Sequence, residues 1–266
     1  MDLHLTQKIA ILPVPRPTRL PSLVPLLVLF LAIAGWELFA RFAGLPAFIL
    51  PSPTQVAERF GRALMSGNLL YHTAITLLQI LLGLLSGVLA ALMLGYAIAK
   101  SRLFEQVVSP FLVASQAIPI VAIAPLLVIW FGPGMFSKVL ICALIVFFPV
   151  LVNTVVGLRA VPRSLYELMR SLRASRWQML RLLEIPAALP VFLGGLRIGA
   201  TLSVIGAVVG ELVGADRGLG FLINVGRGQY DTALVFVAVI TLIVLALGLY
   251  GLVILLENRL LAWQKQ

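Results

Sequence analysis

An all-α membrane protein with six transmembrane helices is the fold this sequence predicts, and three observations predict it. Of 266 residues, 61% are hydrophobic and only 11% are charged. Uncharged runs of 20 residues or more recur along the chain, long enough to cross a bilayer as helices. Such runs must satisfy every backbone polar group within the segment, and they lack the short alternating strands of a barrel.

Hydropathy places the spans at about 22–43, 73–99, 107–130, 139–158, 190–211 and 232–256. With a cytoplasmic N-terminus, the inner segments hold 13 Lys and Arg: Lys8, Arg16, Arg19, Lys100, Arg102, six Arg between 159 and 181, Arg259 and Lys265. The outer segments hold six: Arg41, Arg59, Arg62, Lys138, Arg217 and Arg227. The bias puts both termini inside. It also accounts for most of the net charge of +10, so the basic balance implies no nucleic acid. Three units follow: a cytoplasmic tail at 1–21, a six-span domain at 22–258 with a cytoplasmic loop at 159–189, and a second cytoplasmic tail at 259–266.

Residues 1–21 carry four Pro and no sustained helical pattern, as expected of a mobile tail. The first apolar run is too long for a signal peptide and reads as a retained anchor. In the outer segment 44–72, Thr54 can cap a short surface helix after Pro51 and Pro53. The second span carries Gly83, Gly87 and Gly95, whose spacing suits close approach to another helix. The third contains Pro110, Pro119 and Pro125, each opening the helix locally. Ser115 and Gln116 lie between the first two, where they suit a pathway lining or a kinked packing helix equally. Cys142, the only cysteine, reads as a small core residue. Arg197, early in the fifth span, can snorkel to the cytoplasmic side. Glu37 and Glu211 near the outer ends read as structural, also by snorkelling.

A charged interruption separates the fourth and fifth spans, with six Arg and two Glu between Arg159 and Glu184. Ser164-Leu165-Tyr166-Glu167 and Ser175-Arg176-Trp177-Gln178 both have the capping-box pattern, so two short helices in series are expected. In the first, Leu165, Leu168, Met169 and Leu172 share one face, while Glu167, Arg170 and Arg173 project elsewhere. A helix offering its charged side to a partner fits this pattern. So does an interfacial helix resting on anionic lipid. Glu167 also has a local role open to it, as reciprocal cap of Ser164.

The stretch from Glu167 to Leu183-Glu184-Ile185-Pro186 resembles the EAA loop of permease subunits of binding-protein-dependent ABC importers. Ile118-Pro119, Ala124-Pro125-Leu126, Trp130-Phe131-Gly132, Phe147-Phe148-Pro149, Ala187-Ala188-Leu189-Pro190, Gly195-Leu196-Arg197 and Gly218-Leu219-Gly220 resemble, in the same order, the nitrate, sulfonate and taurine branch, to which vitamin-precursor permeases are related. The resemblance implies a multi-pass protein of a bacterial or archaeal inner membrane, not itself an enzyme. It implies that Glu167, Leu168, Met169, Arg170, Leu172, Arg173 and Ala174 form an ATPase-coupling helix. The implied partners are an ATP-binding subunit, an extracytoplasmic solute-binding protein, a second permease copy, most simply identical, and membrane lipid. Two departures stand out: Leu168-Met169 where the family has Ala-Ala, and Arg173 where it has Gly. If Arg173 must be left-handed, it costs roughly 1 kcal/mol relative to Gly.

No cofactor is expected in this chain, and ATP belongs to the partner subunit. The Lys100-Ser101 pair has Leu94 and Ala99 where a phosphate-binding loop needs Gly, and Ile223 replaces the third Gly of a dinucleotide loop at Gly218. Path candidates are mild polar residues: Ser115, Gln116, Asn153, Thr201 and Ser203. No midplane acid or His relay favours an ion-coupled secondary carrier, since His4 and His72 fall in the tail and at a span boundary. An intramembrane hydrolase lacks a well-placed base. A basic-loop lipid-binding scaffold remains the other alternative. The resemblance permits nitrate, taurine or an alkanesulfonate as cargo, or riboflavin or a thiamine-pyrimidine precursor. The scarcity of fixed positive charge in the spans favours an uncharged heterocycle.

Overall fold

The computed structural model describes residues 23–265, and every regular element among them is helical. The N-terminal tail expected at 1–21 lies outside the described residues. Two compact units divide at Leu45–Pro46. The first holds α1 (Val24–Phe42), which is apolar, long enough to span a membrane, and capped on its own surface by a Glu37–Arg41 pair one turn apart.

The second unit runs from α2 (Pro53–Met65) through α3 (Asn68–Lys100), α4 (Arg102–Gln116), α5 (Ile120–Phe131), α6 (Met135–Arg159), α7 (Arg163–Ser171) and α8 (Arg176–Met179). A π-turn (Leu180–Glu184) then leads into α9 (Ile185–Gly214), followed by α10 (Leu219–Gly228) and α11 (Thr232–Leu260). With α1, helices α3, α6, α9 and α11 are long and apolar enough to cross a membrane, and α4 with α5 makes a sixth where the bent pair is counted as one span. The expected third span is therefore not one kinked helix. It bends by 96° at Ala117–Pro119, because Pro119 offers no N–H and pushes Ile118 out of the helical region. Pro110 and Pro125 are absorbed inside α4 and α5.

The core is the packing of α6 against α3 and α9. Cys142 sits fully buried where the three meet. It faces Gly83 of α3, where any Cβ would overlap its side chain, and Gly206 of α9, where a Cβ would lie 2.7 Å from its Cα. The expected glycine face of α3 is all spent on α6: Gly87 meets Ala143 and Gly95 meets Thr154. Without side chains at these points the backbones close to van der Waals contact, which is how helices gain packing energy in a medium as apolar as they are. Because the Gly206 neighbour is main chain, nothing can rotate aside. Gly206→Ala is expected to destabilise the protein by about 1–3 kcal/mol, read as a lower unfolding midpoint in detergent.

Helix α2 is a surface helix, as expected, but its cap is Ser52 rather than Thr54. Ser52 Oγ accepts from Gln55 N–H and Gln55 Oε1 accepts from Ser52 N–H, a closed capping box with Pro53 in the first turn. Thr54 instead shares a 2.8 Å hydrogen bond with Ser52 Oγ. Arg59 ties this helix to Asp231, the cap of α11, at 2.7 Å.

Candidate coupling site

At one end of the bundle lies the Arg-rich segment. Helix α7 begins at Arg163 with Pro162 as its cap residue and no side-chain cap bond. The expected Ser164–Glu167 capping box does not form, because Pro162 starts the helix two residues earlier and places Ser164 inside it. Glu167 is consequently free of a local capping role. The second box does form: Ser175 Oγ accepts from Gln178 N–H at 3.2 Å, and Gln178 Oε1 accepts from Ser175 N–H at 2.8 Å. Its helix does not stop, however. It continues through the π-turn into α9 as one 39-residue rod from Arg176 to Gly214. Pro186 has no N–H to donate into the ladder, and the wide turn before it takes up the defect.

Between α7 and α8 the chain reverses at Arg173, with φ of 55°. Arg173 N–H bonds Arg170 O at 2.9 Å and Ala174 N–H bonds Met169 O at 3.0 Å. These are the two bonds of a Schellman turn, whose left-handed position usually holds Gly. The left-handed position is thus filled here by Arg. Arg173→Gly is expected to raise the unfolding free energy by up to about 1 kcal/mol, measurable in the detergent-purified protein.

Helix α7 leaves Leu165, Leu168 and Leu172 exposed, with Trp177 beside them on α8 65% exposed. Glu167, Arg170 and Arg173 are exposed as well, while Met169, Ala174 and Tyr166 are half-buried. Tyr166 is the aromatic that reaches back toward the bundle: its ring lies 5.4 Å from Lys100 Nζ, the last residue of α3. Lys100 also stands 5.5 Å over the Tyr96 ring and pairs with Glu184, which is 2% exposed at the end of the π-turn. Burial, then the Glu184 charge, push the Tyr166 phenol above its ordinary pKa. Nearby, Arg159 at the end of α6 holds Glu105 of α4 with two bonds, 2.7 and 2.6 Å. A cavity of about 720 Å³ opens between α7 and these helix ends, lined by Lys100, Arg102, Glu105, Arg159, Glu167 and Arg170 among others.

The opposite end carries a second constellation that sequence reasoning missed. Glu211 does not snorkel: it is fully buried on α9. Its Oε1 accepts from Thr76 Oγ1 at 2.7 Å, and its Oε2 from Gly220 N–H at 2.6 Å. Thr76 in turn accepts from Leu219 N–H at 2.8 Å, and His72 Nδ1 accepts from Gly218 N–H at 2.9 Å. Three consecutive N–H groups at the start of α10 are thus satisfied by side chains of α3 and α9, which supply what a local cap ordinarily would. Gly218, at φ of 110°, and Gly220 let the backbone come this close, since a Cβ on either would overlap Glu211. Gly218-Leu219-Gly220 preceding a helix was the available signal, though two of its partners, His72 and Thr76, lie more than a hundred residues upstream. Buried Lys138 closes the same end by donating to Pro133 O and Gly214 O. Arg197 pairs with Glu257 of α11 and stacks on Tyr250.

The five path candidates are not brought together. Ser115 and Gln116 end α4 at the bend, the latter exposed. Asn153 packs on Gly195 between α6 and α9, Thr201 is half-buried on α9, and Ser203 is fully buried behind Cys142. Ser115, Asn153, Thr201 and Ser203 each bond a carbonyl of their own helix.

Residues 83–262 match the family described as binding-protein-dependent transport system inner membrane component. A riboflavin transport system permease protein of Chloroflexus aurantiacus is 50% identical over 92% of this chain and 91% of its own. A formylaminopyrimidine transport permease protein of Halalkalibacterium halodurans is 38% identical, covering 92% and 97%. The taurine transport system permease protein of Escherichia coli is 34% identical, covering 86% and 85%. The fold is similar to that of an inward-facing structure of the MetNI methionine ABC transporter, with TM-score 0.57 and 19% identity over 73% of this chain and 94% of that one. An all-helical fold with five or six candidate spans, a loop of this design and matches across nearly the whole chain make this protein a member of the binding-protein-dependent transport family, an ABC importer permease of the membrane.

Proposed function

We propose that this permease passes a small solute, delivered by an external binding protein, across the membrane by ATP-driven alternating access. Two identical copies act with two ATP-hydrolysing subunits. Both termini and the α7–α8 segment face the cytoplasm, ATP is bound by the partner, and this chain carries no catalytic step. The observation that carries the reading is α7 itself: a short helix presenting Leu168, Leu172 and Trp177 with Glu167, Arg170 and Arg173, all exposed and awaiting a cover. An apolar strip rimmed by charge suits a groove on a protein partner. The rigid rod from Arg176 to Gly214 then gives a push on this segment a direct way into the bundle.

The cargo is an uncharged or weakly charged nitrogen heterocycle of the riboflavin or thiamine-pyrimidine kind. The higher identity to the riboflavin permease than to the taurine permease supports this over a sulfonate or nitrate. Ser115 and Gln116, at the break between α4 and α5, are the path residues favoured by their position, because irregular backbone at membrane depth is tolerated where it lines a cavity or packs on protein. Asn153, Thr201 and Ser203 are retained as path candidates of lower rank, given how closely they pack.

Uptake of labelled riboflavin, formylaminopyrimidine and taurine by proteoliposomes holding the whole assembly tests this reading. Uptake that requires ATP and the binding protein, and survives collapse of ion gradients, is expected. Uptake that persists without ATP and vanishes with the gradient identifies a secondary carrier instead.

A further inference from the structure

The coupling segment has few ways to move the bundle. Among the described residues no helix packs closely along α7, and only Tyr166 and Met169 of its nine residues are half-buried. The cation that meets Tyr166 from the bundle is an ammonium group. Lys100 Nζ lies within 5.5 Å of the Tyr96 and Tyr166 ring centroids and pairs with Glu184. Those residues sit on three separate elements: Tyr96 and Lys100 at the end of α3, Tyr166 on α7, and Glu184 at the entry to α9. Glu184 is almost fully buried and its Oε2 has no protein partner among the described residues, so Lys100 is its neutralising contact. A buried carboxylate deprived of its cation is strongly disfavoured. Any displacement of Tyr166 must therefore carry Lys100 with it or break a cation–π contact, and Lys100 in turn holds Glu184.

We propose that Lys100, Glu184 and Tyr166 are positioning residues for coupling: a single charged joint that ties the ATPase-facing helix to α3 and α9 at once, so that both spans move with it. This rests on the reading of α7 as the ATPase contact. Arg159 makes a parallel joint between α6 and α4 through Glu105, and its hydrogen bonds among the described residues go to Glu105 and to Ile98 O of α3. The three coupling residues are thus distinguished by joining the docking helix, rather than only the spans, to the bundle.

The distinction from a purely structural ion pair is the ratio of solute moved to ATP hydrolysed. In the reconstituted assembly, Lys100→Met and Glu184→Gln are expected to keep the ATPase subunit bound and hydrolysis running while transport per ATP falls roughly tenfold. The exchange Lys100→Glu with Glu184→Lys is expected to recover part of that loss. Tyr166→Ala, which trims only a half-exposed ring and leaves the buried pair intact, guards against misfolding and is expected to lower the same ratio. Normal transport per ATP in Tyr166→Ala, or loss of the ATPase subunit from the single variants, overturns the proposal. If the unaltered chain binds no ATPase subunit, the functional reading fails and the joint fails with it; a fault confined to the variants' dependence on docking would leave that reading standing.

Discussion

Glu211→Ala is expected to destabilise the protein by about 3–6 kcal/mol. The truncation leaves Gly220 N–H and the Thr76 hydroxyl buried without an acceptor, each costing about 1–3 kcal/mol. It also opens a void where the carboxylate filled the space beside Gly218 and Gly220. Thr76 in turn holds Leu219 N–H, so its freed hydroxyl weakens a second bond to α10. Glu211→Gln keeps an acceptor for one of the two donors and is expected to lose distinctly less. Thermal unfolding of the detergent-purified protein, followed by tryptophan fluorescence, reads both. The clamp holds α10 against α3 and α9, so the Ala variant is also expected to show faster proteolysis within 215–231. An unchanged unfolding midpoint for Glu211→Ala would mean that Gly220 N–H and the Thr76 hydroxyl find other acceptors at little cost, and that the carboxylate is dispensable to the clamp.

The second large effect is functional. Reversing both exposed arginines of the docking segment, Arg170→Glu with Arg173→Glu, is expected to release the ATPase subunit and cut ATP-driven uptake by at least about tenfold. Both side chains are exposed, and Glu can occupy the left-handed position at 173 about as well as Arg. Membrane insertion and unfolding temperature should therefore stay near those of the unaltered protein. Co-purification of the ATPase subunit with a tagged permease measures the first outcome. Retention of that subunit by the double variant would show that the docking face lies elsewhere.

These two effects sit at opposite ends of the same helices. Thr76 and Lys100 are both on α3, separated by roughly 36 Å at 1.5 Å per residue, and Glu184 and Glu211 bracket the course of α9. One end is a solvent-edged joint, with Lys100 37% exposed and Glu184 2%. The other is buried, its three N–H groups at the start of α10 held by side chains of α3 and α9. On the coupling proposed above, the tight packing of α3, α6 and α9 would carry a push at Lys100 as rigid-body motion rather than bending.

Much of this was legible in the residues. Uncharged stretches of span length located the long helices, because hydrocarbon leaves the backbone no alternative to the helix. The glycines of α3 announced a close helix contact, and Ser175 with Gln178 announced the start of a helix. Arg173 was readable as strained by comparison with the Gly expected there, and its φ of 55° agrees. What escaped was whatever depends on distant partners. The Ser164 pattern failed because Pro162 set the helix start first, and the continuation of α8 into α9 was hidden by Pro186, which usually signals a boundary. The structural role read for Glu211 holds, but its burial escaped for the same reason. Glu184 and Glu211 carry no local sign of burial; it is Lys100, Thr76 and Gly220, far away in sequence or brought round by a turn, that make burial tolerable.

The central claim is that α7 and the turn at Arg173 receive an ATPase. Gentle detergent extraction of the tagged chain from its own host, with mass spectrometry of every protein and small molecule that remains bound, tests it most directly. The account predicts an ATP-hydrolysing subunit in equal number to the permease, a solute-binding protein captured with it, and a nitrogen heterocycle in that protein's site. A permease that reproducibly purifies alone, under conditions that preserve other membrane complexes of the same cells, would contradict it.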